Sequence, residues 1–288
     1  TYSNIKIYIS DDNSSDNTAQ IIKTYKENFP EKIFYTLNNS NIGVMKNFEN
    51  LIFNCKEDYM ALSDQDDIWQ ASKLQRQMDA MLELESENIS LPCLVNSDLC
   101  MIDEKDKMIN KSYFQFRNYV LSDKRDLGHI LGPSGIMGNT LLINKELKHI
   151  ALPFPSKLDV HDYWLGLNAE LFGKRKTINE QLVQYRIHSN NVSNSKSTIK
   201  KNKTIITRDV KLPNMQTNRK LFLPEIIARI NSKEDLKTVN AYIDYLKFNK
   251  NRLSLYCDLI YFSLVKKGLL FRIKLLLKLF FTNRYNKV

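Results

Sequence analysis

Cysteines and long apolar runs are scarce in this sequence. It has four cysteines in 288 residues, with no Cys-x-x-Cys pair, which argues against a disulfide framework or a zinc-finger site. No apolar run approaches the roughly 20 residues that a membrane-spanning helix requires. The chain opens at Thr1 with neither a signal peptide nor an initiating methionine. These absences predict a reducing, cytoplasmic location and a sequence that starts inside a longer domain.

The composition is that of a globular protein with an uneven distribution of charge. Hydrophobic residues make up 43% and charged residues 26%, which excludes a disordered or collagen-like chain. Lys and Arg total 42 against 32 Asp and Glu, a net charge of +10. Residues 247–288 contain ten basic residues and one acidic residue, so they hold nearly all of this net charge. Such a segment predicts an anionic partner.

The first 97 residues alternate short β-rich runs with helical patterns, which is typical of βαβ units in a mostly parallel sheet. The predicted strands are 5–9, 32–37 and 59–62, and the predicted helices are Thr18–Asn28 and Val44–Asn54. In open α/β sheets, ligands bind beyond the carboxyl ends of the strands. We therefore expect the functional site in the loops that start at Asp11 and Asp64.

The middle of the chain is less regular, and its composition changes near residue 190. The pattern there predicts a hairpin near 103–107, a glycine-rich stretch at 132–138, a strand at 140–143, a short amphipathic helix at His161–Phe172 and a strand at 182–187. Residues 191–218 are rich in Ser, Asn, Lys and Thr without apolar periodicity, as in a linker. Two or three helices are predicted after it.

The first polar motif is the pair Asp11 and Asp12, at the end of the first predicted strand. Two carboxylates there can accept hydrogen bonds from a nucleotide base or a ribose hydroxyl. A turn whose Asp and Ser side chains cap the next helix explains the same residues equally well.

A second motif places three carboxylates, Asp64, Asp66 and Asp67, directly after the strand 59–62. So much negative charge is costly unless a cation offsets it, and hard oxygen ligands suit Mg²⁺ or Mn²⁺. The spacing is not that of an EF-hand loop, and a solvated acidic turn is the alternative. We favour a metal site because the strand should place these residues at the active edge of the sheet.

Two further motifs lie later in the chain. Asp162 falls at the start of the helix His161–Phe172, where an Asp can be a general base or merely an N-cap. Arg186 and His188 alternate along the strand 182–187 and therefore share a face. A lone His is usually structural, but an Arg beside a His at the mouth of an acidic site suits a diphosphate and its metal.

Taken in order, these motifs resemble the family-2 glycosyltransferases of the GT-A fold, and in particular their rhamnosyltransferase-like branch. The motifs are Asp-Asp-Asn-Ser-Ser-Asp-Asn-Thr at 11–18, Asn-Ile-Gly at 41–43, Leu-Ser-Asp-Gln-Asp-Asp-Ile-Trp at 62–69, Gly-Asn-Thr at 138–140, His-Asp-Tyr-Trp at 161–164 and Tyr-Arg-Ile-His at 185–188. The resemblance covers about two thirds of the chain, roughly residues 5–193. It implies an α/β fold with a mostly parallel, Rossmann-like sheet flanked by helices and followed by a C-terminal helical extension.

The resemblance implies roles for four residues in binding the nucleotide-sugar donor. Asp11 and Asp12 match the acidic pair that holds the base and ribose. Asp64 matches the first carboxylate of the Asp-x-Asp motif, near the ribose or the donor sugar. Arg186 would stabilise the leaving diphosphate.

The same resemblance implies a metal site and a catalytic base. Asp66 matches the direct ligand of Mn²⁺ or Mg²⁺, and His188 matches a position that completes the metal or diphosphate site. Asp162 matches the base of inverting members, which removes a proton from the attacking hydroxyl of the acceptor.

The sequence departs from the family pattern at its start. Family members begin with a strand that ends in a Pro-x-Tyr-Asn-like segment and lies inside the sheet, and this sequence starts after it. We therefore expect an N-terminally truncated GT-A catalytic domain at 1–193, a linker or mobile loop at 194–218 and a basic helical extension at 219–288.

The resemblance implies transfer of a sugar from a nucleotide-sugar, with dTDP-rhamnose as one candidate, to a hydroxyl of a bacterial surface glycan on a lipid carrier. The alternatives are a UDP-hexose donor on the same scaffold and a truncated, non-catalytic glycan-binding remnant. A signalling receiver-like domain fits less well, because the carboxylate motifs continue to Asp162.

The basic tail suggests where the protein acts. In residues 262–281, Lys267, Lys274 and Lys278 fall on one helical face and Leu and Phe cover most of the rest. Such a helix favours an anionic membrane surface, although a helix packed on the catalytic domain is the alternative. No nucleic-acid-binding motif accompanies the charge. We expect a cytoplasmic protein that is peripheral at the inner face of the cell membrane.

Overall fold

The first βαβα unit has the predicted order of elements, but its first strand, predicted at 5–9, lies two residues later at Ile7–Asp11. The computed structural model describes residues 2–87, 90–117, 119, 123–132, 134–188, 218–247, 251–261 and 269–281. Strands β1 (Ile7–Asp11) and β2 (Ile33–Leu37) pair in parallel and are followed by helices α1 (Thr18–Asn28) and α2 (Val44–Asn54). Both helices have the predicted bounds. Gly43 precedes α2 with φ of 84°, a backbone conformation that favours glycine.

A second, larger sheet contains the remaining strands. They are β3 (Tyr59–Ala61), β4 (Ile68–Trp69), β5 (Cys93–Ile102), β6 (Met108–Asn110), β7 (Leu141–Asn144) and β8 (Lys174–Arg186). Their order is β3-β7-β5-β8-β4, and β6 pairs with the end of β5. All ten residues of β5 are buried because helices cover both faces of this central strand.

The expected α/β fold class is confirmed, but the strands pair in both directions, whereas the sequence predicted a mostly parallel sheet. Among the described strands, β1–β2 and β5–β8 are parallel, whereas β3–β7, β5–β7, β4–β8 and β5–β6 are antiparallel. The predicted hairpin at 103–107 is one cause of the mixed pairing. It joins β5 to β6, and strands joined by so short a connection can only be antiparallel. The N–H of Asp103 closes it on the carbonyl of Lys107 at 2.9 Å.

Within the described residues up to 188, five α-helices follow α2 and pack around this sheet, and the last of them lies in the main hydrophobic core. They are α3 (Lys73–Ser86), α4 (Tyr113–Arg117), α5 (Leu127–Leu131), α6 (Lys145–Ala151) and α7 (His161–Phe172). Cys93 and Val95 of β5 pack with α3, while Leu94 faces the main core, which contains α7. The prediction that α7 is amphipathic is wrong. Nine of its twelve residues are buried, because α7 packs against neighbours on nearly all sides.

Four helices follow in the described part of the chain after residue 217. They are α8 (Arg219–Ile227), α9 (Lys233–Lys247), α10 (Arg252–Tyr261) and α11 (Leu269–Phe281). Phe222 of α8 contacts the rings of Tyr163 and Trp164 edge-on, with centroids 6.0 Å apart in both pairs. The predicted linker lies outside the described residues except for Asn218. No helix in the described ranges has the length and hydropathy needed to cross a bilayer.

Candidate functional site

The carboxylates at the end of β1 organise two neighbouring turns. Asp11 is buried and accepts hydrogen bonds from the hydroxyl and the N–H of Ser14. Asp12 accepts the N–H groups of Ile42 and Gly43 at 2.8 and 2.9 Å. These hydrogen bonds, that of Ile42 foremost, lower the pKa of Asp12. Asp12 therefore holds the loop that leads into α2.

The acidic loop after β3 is tied to the far end of β8. Asp66 Oδ2 lies 2.7 Å from His188 Nε2. Asp67 accepts the N–H of Arg186 at 3.0 Å and a hydrogen bond from the side-chain amide of Asn139. The structure thus brings together four of the residues that the sequence singled out, although they are about 120 positions apart in the chain.

Arg186 fastens this loop to the hairpin between β5 and β6. Its Nε donates to the carbonyl of Asp66 at 2.9 Å, and its terminal nitrogen pairs with the carboxylate of Asp106. In this conformation the guanidinium group of Arg186 binds a backbone carbonyl and a carboxylate of the protein itself.

The surroundings of Asp64 strongly disfavour its ionised form. Burial, and after it the negative charges of Asp67, Asp66 and Asp162 in that order, raise the pKa of Asp64 to about 7. A carboxylate in this position becomes easier to ionise when a cation lies beside it.

The residues around Asp66 and His188 fit a divalent cation that also binds phosphate. Within the described ranges, no group of three or more His, Cys, Asp or Glu side chains could hold a metal by itself. Mg²⁺ at nucleotide sites typically takes only one or two carboxylates and completes its shell with phosphates and water. Asp66 and His188 supply one carboxylate and one imidazole, 2.7 Å from each other, and the Asp64 carboxylate lies near them; this set is compatible with such a cation once the Asp66–His188 contact opens.

Asp162 lies in the first turn of α7 and faces the turn 138–140. Its Oδ2 accepts the N–H of Gly138 at 3.0 Å, and burial raises its pKa to about 6. The N-cap interpretation of Asp162 is wrong, because the N-cap position is Val160. A Cβ atom at residue 138 would lie 2.9 Å from His161 Nε2 and 3.8 Å from Asp162 Oδ2. Glycine at this position permits the close approach.

His161, next to Asp162, is a buried imidazole without a polar partner. It is 8% exposed and stacks on Phe48 of α2, with ring centroids 4.2 Å apart. Neither ring nitrogen has a hydrogen-bond partner among the described residues. Burial lowers its pKa to about 4, so the ring is neutral near pH 7. Leaving a buried polar group unpaired costs about 1–3 kcal/mol.

A half-buried arginine from α8 reaches the same region. The guanidinium of Arg219 lies 3.8 Å from the ring centre of Tyr163 and donates to the carbonyls of Leu131 and Gly132 at 2.9 and 2.8 Å. Its charge lowers the pKa of Asp162, against the larger effect of burial. The chain after residue 217 therefore contributes electrostatically to this site.

The polar motifs thus form two groups. Asp64, Asp66, Arg186 and His188 lie together, and the charge of Asp162 acts on Asp64. Asp11 and Asp12 make no hydrogen bond to these residues in the described part of the chain. The two groups are linked through α2, whose Asn47 donates to the carbonyl of Ser10 at 3.1 Å and whose Phe48 stacks on His161.

The sequence analysis gave no individual role to five residues that shape the site: Asp67, Asn139, Gly138, His161 and Arg219. Asp67 belongs to the carboxylate run and Asn139 to the Gly-Asn-Thr motif, so the sequence pattern already indicated that both could lie in the site. The contacts of Gly138 and His161 depend on the approach of two distant segments. Arg219 follows a long polar stretch and has no motif around it.

Comparison with known proteins supports one family. Residues 1–137 match the sequence profile described as Glycosyl transferase family 2. A UDP-Glc:alpha-D-GlcNAc-diphosphoundecaprenol beta-1,3-glucosyltransferase, WfaP of Escherichia coli, is 27% identical over 68% of this chain and 71% of its own length. The dTDP-rhamnosyl transferase RfbG of Shigella flexneri is 37% identical over 27% of this chain and 28% of its own. An uncharacterised glycosyltransferase of Nostoc is 28% identical over 66% of this chain and 58% of its own.

Solved structures agree on the fold. The crystal structure of residues 1–349 of S. aureus TarS superposes with a TM-score of 0.52 and 14% identity, covering 95% of this chain and 71% of TarS 1–349. At this identity the likeness concerns the fold alone. Together with the family profile over residues 1–137 and the glycosyltransferase relatives, it supports a family-2 glycosyltransferase with the GT-A fold.

Proposed function

We propose that this glycosyltransferase moves a sugar from a nucleotide-sugar, with inversion, to a hydroxyl of a lipid-linked bacterial surface glycan, assisted by Mn²⁺ or Mg²⁺. The observation that carries the proposal is the convergence of Asp64, Asp66 and His188 with Asp162 at one end of the larger sheet. Asp66 and His188 would bind the cation, and near them lies Asp162, a carboxylate with a pKa of about 6.

The donor would bind between β1 and the acidic loop. Asp11 and Asp12 would hold the base and ribose, with Asp12 also fixing the loop at Gly43. Asp64 would face the ribose or the donor sugar. Arg186 would bind the diphosphate after exchanging its contact with Asp106 for a phosphate oxygen, which forms a strong bidentate partner for a guanidinium.

Asp66 and His188 would hold the cation. When bound, a divalent cation neutralises charge that develops on the leaving diphosphate. Its charge would also favour the ionised form of Asp64, whose pKa of about 7 reflects burial and neighbouring carboxylates.

Asp162 would act as the general base. The acceptor oxygen attacks the anomeric carbon as its proton passes to the Asp162 carboxylate, and the bond between the anomeric carbon and the diphosphate breaks. A base works best when its pKa lies near the operating pH, and a pKa of about 6 leaves Asp162 mostly ionised near pH 7. The N–H of Gly138 fixes the Oδ2 oxygen of this carboxylate at 3.0 Å.

Two donor classes follow from the relatives. RfbG is named for dTDP-rhamnose and WfaP for UDP-glucose, and the residues described above suit either nucleotide. WfaP is also named for an acceptor in which N-acetylglucosamine is linked through diphosphate to a lipid, so an acceptor of this class is a suitable probe.

A donor screen tests the proposal. The chain would be incubated with Mn²⁺, an alkyl-diphosphate-linked N-acetylglucosamine and either dTDP-rhamnose or UDP-glucose. We expect one donor to give a glycosylated product by mass spectrometry, with release of its nucleoside diphosphate. Asp162→Asn serves as the matched inactive control. Donor binding without transfer from either nucleotide-sugar would instead support the glycan-binding remnant.

The C-terminal helix α11 has a surface suited to a membrane. Leu269 and Leu270 are 73% and 77% exposed, and Ile273, Leu277 and Phe280 continue an exposed apolar stripe at helical spacing. Leu275, on the opposite side, is buried in the main core. The exposed side chains of Arg272 and Lys274 flank the stripe. We infer that the stripe lies against the anionic inner face of the cell membrane, which would make the protein cytoplasmic and peripheral.

Replacing exposed leucines of α11 should release the protein from anionic vesicles. In Leu270→Gln/Leu277→Gln, the apolar stripe is interrupted while Leu275 is kept, so we expect sedimentation with phosphatidylglycerol vesicles to fall at least several-fold. Binding by the unaltered chain should weaken as salt rises, because each Lys or Arg near such a surface contributes about 1 kcal/mol that salt screens.

The matched control is Leu82→Gln/Leu221→Gln, which changes two exposed leucines on α3 and α8. This variant should bind vesicles normally. Equal binding of the unaltered chain to neutral and anionic vesicles, or binding to neither, would contradict the membrane assignment.

A further inference from the structure

His161 is a polar side chain of the site that the mechanism above leaves unused. It precedes Asp162 at the start of α7, and both of its nitrogens lie buried without partners in the described part of the chain. The ring is held from two sides, by the parallel stack on Phe48 and by the turn at Gly138. A phenyl ring would fill this slot without any unpaired polar atom.

The position of the imidazole points to the acceptor side of the reaction. The same glycine lies close to His161 Nε2 and to Asp162 Oδ2, so the imidazole borders the space next to the proposed base. A neutral imidazole carries one N–H donor and one nitrogen acceptor. A sugar hydroxyl, which both donates and accepts, matches this pair, whereas a diphosphate would require a protonated ring.

Helix α2 is anchored in the main core by Ile52, but its Phe48, the side chain that covers the imidazole, is only half-buried. A rotation of the Phe48 side chain, with α2 in place, would expose the edge of the imidazole ring.

We propose that His161 is an acceptor-contacting residue, whose neutral imidazole hydrogen-bonds a sugar hydroxyl next to the one that Asp162 deprotonates. The inference rests on the proposed function and extends it to acceptor recognition. It explains why an unpaired imidazole occupies a buried slot that an apolar ring would fill.

His161→Phe separates this role from packing, because it retains the stack on Phe48 and removes both nitrogens. We expect its melting temperature to rise by about 2–4 °C, since unpaired buried polar atoms disappear. Its kcat/KM for the alkyl-diphosphate-linked N-acetylglucosamine should fall about tenfold, the usual effect of one lost hydrogen bond. Donor affinity should not change. His161→Gln, which keeps a donor and an acceptor, should recover part of the loss, and His149→Phe, at an exposed histidine, is the matched control.

Several outcomes decide the inference. If His161→Phe is stabilised but keeps its kcat/KM for the acceptor, His161 is a packing residue and the inference is wrong. If it loses donor affinity, the imidazole belongs to the donor site, which also overturns the inference. If the unaltered chain transfers no sugar, the proposed function fails. In that case, the imidazole nitrogen resonances of isotope-labelled His161 still test the inference. They should shift when the acceptor probe is added. Unchanged resonances would mean that the imidazole does not contact the probe, and the inference would be wrong.

Discussion

Asp162→Asn should lower turnover by about 10²–10⁴-fold, the usual contribution of a positioned general base, while donor affinity stays nearly unchanged. The amide oxygen of Asn can still accept the N–H of Gly138, which lies 3.0 Å from Asp162 Oδ2, so the local geometry should persist. What the amide cannot do is take the proton of the acceptor hydroxyl. Steady-state transfer rates and calorimetric titration with the nucleoside diphosphate measure the two quantities separately.

The pH dependence of turnover gives a second check on this assignment. Burial raises the pKa of Asp162 to about 6, so turnover of the unaltered enzyme should fall as the pH drops through about 6, where the base becomes protonated. The residual turnover of Asp162→Asn should lack this dependence. Asp159→Asn, at an exposed carboxylate three positions earlier, controls for the lost charge. Near-normal turnover of Asp162→Asn would remove it from the role of base.

Local sequence signals predicted the elements that carry the polar motifs. Helices α1, α2 and α7 have the predicted bounds, because Gly43 and the polar turns around them mark where each helix starts. One group of carboxylates lies at the end of β1 and the other follows β3, and the second group meets Arg186 and His188 as alternation along the strand suggested. These successes depend on patterns within about ten residues.

The errors arise from tertiary contacts. The sequence predicted a strand only at 182–187, but β8 starts at Lys174. The prediction missed residues 174–181 because they are largely polar, and they form a strand by pairing with the buried strand β5. The pattern of α7 was interpreted as amphipathic, whereas the helix is buried on most sides. The roles of Gly138 and Arg219 depend on segments that lie far apart in the chain.

Asp64 connects the electrostatics of the site with folding stability. Its pKa is raised from 3.8 to about 7 in the folded chain, so the folded state binds this proton more tightly than the unfolded state. The contribution of Asp64 to the free energy of unfolding therefore decreases as the pH rises from about 4 to about 7. A cation held at Asp66 would offset the effect, because it favours the ionised carboxylate. Added Mn²⁺ should consequently raise the melting temperature more at about pH 8 than at about pH 5.5.

Asp66→Ala should remove this metal response and reduce metal-dependent donor affinity by at least about 10- to 100-fold, since changes to residues that only support metal ligands already have effects of that size. The fold should survive, because Asp66 and His188 are 22% and 23% exposed and their contact is not part of the core. Calorimetric titration with dTDP or UDP, with and without Mn²⁺, measures the affinity, and thermal melts measure the metal response. Asp58→Ala, which removes an exposed carboxylate just before β3, should keep both. If Asp66→Ala retained the metal-dependent affinity, the cation would bind elsewhere, and the pair of Asp66 and His188 would be only a structural link between the acidic loop and β8.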